Sequence, residues 1–165
     1  MKPVLLSLLT LASLLVSTPQ FAGTAAEAVM VSDGYTRAVP PGQPNSASFM
    51  LLSNSSATPH ALVAAASSVS KVTELHTHTM AEGMMQMRRV EQIEIPANGT
   101  TRLQPGGLHL MLIGLTQQLK PGDEVALTLS FEDGSELKTT LPVRMLQMQM
   151  MQPGQGGMMH GKMMH

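Results

Sequence analysis

Turn residues punctuate the chain so often between Ala28 and Val143 that the segments left over read as short strands rather than helices. Ser32-Asp33-Gly34, Pro40-Pro41-Gly42, Pro96-Ala97-Asn98-Gly99, Pro105-Gly106-Gly107 and Pro121-Gly122-Asp123 each favour a tight change of direction. Between them lie apolar runs at 29–31, 47–52, 60–66, 71–78, 86–90, 93–95, 108–115, 125–131 and 137–141. The run 61–66 is too short to separate strand from helix. No amphipathic stretch of normal helical length appears. In residues 124–131 the odd positions are apolar and the even ones small or polar, which is the pattern of a strand with one face on a core. Glu132-Asp133-Gly134 then joins this run to the next as a hairpin turn. The expectation is an all-β antiparallel sandwich or barrel.

The two ends differ in composition from this middle. Lys2 followed by the apolar run 4–16 and then by small residues reads as a secretory signal over 1–26, with cleavage expected between 22 and 28. The run is about thirteen residues, shorter than the roughly 20 that a membrane span needs. A membrane anchor is the weaker reading, and no later segment is apolar enough to cross a bilayer. Residues 27–144 are expected to form one domain. Residues 145–165 hold eight Met, two His, four Gln and four Gly with Lys162 as the single charge, the composition of a flexible tail. Localisation in the periplasm follows from the signal.

Charge and cysteine content exclude several functions. Ten Lys+Arg against eleven Asp+Glu leave no basic excess for nucleic acid. With no cysteine there is no blue-copper centre, zinc–thiolate site or redox dithiol. No nucleophile–base arrangement, carboxylate pair or phosphate-binding glycine loop stands out, so binding is expected rather than catalysis. Sixteen methionines against one Tyr and three Phe are the anomaly.

Met and His fall together in one pattern. In Leu108-His109-Leu110-Met111-Leu112 the strand period places three leucines on one face and puts His109 and Met111 side by side on the other. Those two side chains should therefore be removable with little effect on folding. Upstream, His76, His78 and Met80 stand two apart, as do Met85 and Met87. Imidazole and thioether are neutral donors that suit copper(I), whereas calcium and magnesium want oxygen and zinc prefers thiolate, imidazole or carboxylate. His60, isolated beside a proline-containing turn, reads as structural. In the tail, Met158, Met159, His160, Met163, Met164 and His165 form a near-repeat of the same donors.

His76, ten residues, Met87, twenty-one residues, His109, one residue and Met111 resemble the ligand signature of the PCuAC family of periplasmic copper chaperones. Residues 38–45, 105–112 and 127–134 resemble that family's flanking words, so the likeness covers about 29–144. It implies a cupredoxin-like fold binding one copper(I) through His76, Met87, His109 and Met111. It also implies delivery toward the CuA subunit of cytochrome c oxidase, directly or through another assembly chaperone. Relatives often carry Met where this chain has His78. His78, Met80, Met85 and the six tail residues are further metal candidates, with copper(II) or copper(I) as the tail's cargo. A periplasmic copper buffering or resistance protein with no dedicated acceptor is the alternative.

Overall fold

The computed structural model describes residues 23–145. Its elements are a single helical turn α1 (Ala25–Ala28) and ten strands: β1 (Val29–Arg37), β2 (Asn45–Asn54), β3 (His60–Ser67), β4 (Ser70–Ala81), β5 (Met84–Arg89), β6 (Ile93–Ile95), β7 (Thr100–Leu103), β8 (His109–Leu115), β9 (Glu124–Phe131) and β10 (Glu136–Arg144). Hydrogen bonding runs in the order β5-β4-β8-β2-β1-β10-β9-β3-β6, with β7 on β2. Every pairing is antiparallel except β1 with β10, which is parallel at Thr36–Val143 and Arg37–Arg144. The all-β, cupredoxin-like architecture is thus present with one parallel seam. Of the signal expected over 1–26, residues 1–22 lie outside the described residues, as does the tail beyond Met145, whereas 23–26 are described and include the start of α1. No described helix is long and apolar enough to cross a membrane.

One core unites the strands on either side of that seam. Met50, Leu52, Leu110 and Leu112 contribute from one side, and Leu62, Leu127, Leu129 and Phe131 from the other, all at most 1% exposed. The alternation of β9 is realised residue by residue: Val125, Leu127, Leu129 and Phe131 point inward. In β8, Leu110 and Leu112 are fully buried, while Leu108 precedes the strand and packs only partly on the core. Burying a leucine side chain contributes roughly 1.5–3 kcal/mol, so this face fixes which way β8 presents its other residues.

Two local expectations change. Ser32-Asp33-Gly34 does not end the first strand but bulges within it, shifting the β1–β2 register between Ser32 and Tyr35. Asp33 takes a positive φ of 50°, and a Cβ on Gly34 would come within 2.3 Å of the Leu141 side chain. Residues 61–66 resolve as strand β3, where Ala61 and Leu62 are buried.

Candidate metal centre

The site lies on the face of β5-β4-β8 that carries His76, Met87, His109 and Met111, and local sequence sets its register. The β4–β5 hairpin closes through Glu82-Gly83, both at positive φ (52° and 77°), which is the requirement of a two-residue type I′ turn. Residues directly opposite each other in an antiparallel pair share a face. That turn therefore sets His78 against Met87, Met80 against Met85 and His76 against Arg89. On its other edge, β4 sets His76 against His109 and Glu74 against Met111. His76 consequently stands between the two neighbouring strands, one diagonal step from Met87 and one from Met111.

A second turn shapes the entrance to β8. Pro105-Gly106, with Gly106 at φ 79° and the Gly107 N–H donating to the Gln104 carbonyl at 3.0 Å, has the signature of a type II turn. The Gly107 carbonyl then accepts a hydrogen bond from His109 Nδ1 at 3.0 Å. With Nδ1 carrying the proton, Nε2 of His109 keeps its lone pair. His76 is fixed the other way round: its Nε2–H donates to Glu74 Oε2 at 2.8 Å, leaving Nδ1 buried and without a partner. Each imidazole is held by an acceptor on one nitrogen and left bare on the other, as metal-binding histidines commonly are.

A cavity of about 160 Å³ opens on this face, lined by His78, Met87, His109 and Met111 and walled by Phe49 and Arg37. Three of the four residues of the sequence signature therefore meet there. His76 does not line the cavity, but its ring centroid is 5.8 Å from that of His109. Phe49 packs on His109 with centroids 6.2 Å apart and on Tyr35 at 5.2 Å, so an aromatic row covers the site from the β2 side. Among the described residues no three His, Asp or Glu side chains already converge as a ligand set. A soft ion held here has to use the thioethers as well.

His109 is only 2% exposed, contrary to the expectation that its face is open and its side chain dispensable for folding. It is buried from both sides, by the leucine core behind β8 and by Phe49 and the Gln104–Gly107 turn in front. Burial, which penalises the imidazolium, outweighs the Gly107 hydrogen bond and holds its pKa below the ordinary value; nearby His78, His76 and Arg37 add to the fall. Glu74 lies below the usual carboxylate range chiefly because His76 donates to it. Met87 is 45% exposed, and Met80 and Met85 more so, at 67% and 61%. His60 is buried against Glu132 with Nδ1 2.7 Å from Oε1, in β3, which pairs with β6 and β9 rather than with the strands of this centre, and it does not line the cavity. The candidates in the tail lie outside the described residues.

Glu74, Phe49 and Arg37 were missed by sequence reasoning. The strand period carried a signal for Glu74, which stands two before His76 and hence on its face. Phe49 and Arg37 arrive through β2 and β1, and nothing local announces them.

The strand arrangement is one that solved PCuAC domains share. The chain is 38% identical to the solution structure of CuI-DR1885 from Deinococcus radiodurans, with a TM-score of 0.59 over 74% of this chain and 83% of that one. The copper-bound PCuAC domain from PmoF2 superposes with a TM-score of 0.62 over 74% of this chain and 97% of that one, at 22% identity, which shows the shared fold. The chain belongs to the LpqE-like family, whose model, described as "Putative lipoprotein LpqE-like", matches residues 29–143. It is also 33% identical over 142 residues to "Putative lipoprotein Lxx21020" of Leifsonia xyli subsp. xyli (strain CTCB07), covering 86% of this chain and 84% of that protein.

Proposed function

We propose that this protein is a periplasmic copper(I) chaperone that holds one ion with His76, Met87, His109 and Met111. The observation that carries the reading is the single cavity onto which β5 and β8 deliver Met87, His109 and Met111, with the bare Nδ1 of His76 beside it. Four neutral donors stabilise a monovalent ion without burying net negative charge, which favours copper(I) over harder cations. Copper is cargo here, and the chemistry is exchange of ligands. Exposed Met87 can leave the ion first and let an acceptor's donor enter, while buried His109 stays.

The solved relatives that bind copper, at up to 38% identity, support the cargo, and the relatives named as lipoproteins support export. Delivery toward the CuA subunit of cytochrome c oxidase is the acceptor reading, and buffering is its competitor. Mixing the copper(I)-loaded protein with an apo CuA domain separates them. Transfer that outpaces release to a small chelator of equal affinity supports delivery; equal rates support buffering. The Met/His-rich tail would supply additional binding through a raised local concentration of donors. Ending the chain at Arg144 should then lower the number of coppers bound to one, and an unchanged number refutes a role for the tail.

A further inference from the structure

The cavity is lined by His78, a residue outside the four-residue signature. His78 stands opposite Met87 on the neighbouring strand. Its ring lies nearly parallel to that of His109, with 29° between planes and centroids 5.1 Å apart. Its Nδ1 is buried and has no hydrogen-bond partner. Leaving a buried polar atom unsatisfied costs on the order of 1–3 kcal/mol, and nothing in the fold compensates for it. Glu74 and the Gly107 carbonyl orient His76 and His109, but no protein acceptor or donor claims this nitrogen of His78.

Resting on the copper reading above, we propose that His78 is itself a copper ligand, joining His109 at the cavity with His76 beside it, so that the site holds copper(II) as well as copper(I). The spacing of the rings fits a shared ion. An imidazole nitrogen binds a metal such as zinc at about 2.0 Å, so two rings on one ion have centroids roughly 5–6 Å apart. The His78–His109 and His76–His109 separations are 5.1 and 5.8 Å. No three of these groups yet form a finished set, so the ion draws the half-buried His78 inward, the one of the three rings with no acceptor to release.

The chemistry follows from the donor count. Two imidazoles with two thioethers favour copper(I). A third imidazole supplies the nitrogen-rich environment that copper(II) prefers, and copper(II) tops the divalent affinity order. Glu74, hydrogen-bonded to His76 and adjacent to Met111 across the ladder, places a carboxylate where a second positive charge would arrive. Arg37 at the cavity wall acts the other way, and Arg89 spends part of its charge on Glu74 at 3.6 Å.

The test uses the full exported chain carrying His160→Ala and His165→Ala, so that tail imidazoles do not contribute. Copper(II) sulfate is added alone, and binding is followed by electron paramagnetic resonance, with copper(I) affinity measured separately by chelator competition. The expected result is one copper(II) with hyperfine coupling to three nitrogens. Adding His78→Met should reduce this to two nitrogens and weaken copper(II) by at least about tenfold while copper(I) affinity stays within about threefold. Retained copper(I) binding also shows that the variant folds. An unchanged copper(II) spectrum and affinity in His78→Met overturns the proposal, as does a parent that binds copper(I) but not copper(II). Failure to bind either state overturns the copper(I) reading itself, and this inference with it.

Discussion

Replacing His109 by Ala should destabilise the metal-free protein as well as abolish its metal site. The side chain is 2% exposed, stacks on His78 with Phe49 tilted against it, and donates to the Gly107 carbonyl. Losing the hydrogen bond costs about 1 kcal/mol. The void left between β8 and Phe49 adds about 1–2 kcal/mol, less than a core Leu→Ala because the site already adjoins a cavity that can relax. The sum is about 2–3 kcal/mol. At roughly 4 °C per kcal/mol for a domain of this size, the unfolding midpoint should fall by about 8–12 °C. Met87→Ala is the matched control, since Met87 is 45% exposed and its loss should move the midpoint by no more than about 2–3 °C. Thermal unfolding followed by circular dichroism, without copper and with chelator present, reads both. A His109→Ala midpoint no lower than that of Met87→Ala would refute the claim that this imidazole is part of the packed structure.

Two further outcomes follow from the turns. Asp133 accepts from Ser135 Oγ, from the Ala25 N–H and from the Ser135 N–H, which lowers its pKa from 3.8 to about 2. A depressed carboxylate pKa contributes stability that is present above about pH 3.8 and is lost as pH falls toward 2. Asp133→Asn should therefore be less stable than the parent at neutral pH and converge with it below about pH 2; a stability gap that does not narrow over this window would show that the charge is irrelevant. Gly83→Val places a β-branched residue at φ 77° in the two-residue hairpin turn. It should cost about 1–2 kcal/mol and weaken copper(I) binding by loosening the His78–Met87 pairing, and unchanged affinity would mean that the turn does not set the register of the site.

Much of this structure was legible because strands write their faces at period two. The alternation in 124–131 predicted its inward residues directly, and in β8 it did so for Leu110 and Leu112 but not for the buried His109. The one wholly missed strand, Thr100–Leu103, has a single buried side chain, Leu103, and four residues cannot display a period. Gly34 was read as a turn because glycine after aspartate favours one; its real reason is the close approach of Leu141 from β10, a contact more than a hundred residues away. The site divides in the same way. His109 beside Met111 is a local fact, but the burial of His109 depends on Phe49 from β2 and on the Gln104–Gly107 turn folding across it. The facing of His78 and Met87 was in principle readable from Glu82-Gly83, a two-residue loop whose length fixes the pairing on either side. That His78 rather than His76 lines the cavity, and that Glu74 engages His76, are matters of side-chain placement that strand alternation does not specify.

On the copper(I) proposal, β8, anchored by Leu110 and Leu112, presents a nitrogen and a sulfur that bind the ion together with Met87 from across the hairpin. X-ray absorption at the copper edge, on the chain ended at Arg144 and loaded with one equivalent of copper(I), tests it most directly. The expected shell mixes sulfur and imidazole nitrogen and loses sulfur in both Met87→Ala and Met111→Ala. A shell without sulfur, or one that neither substitution alters, would contradict it.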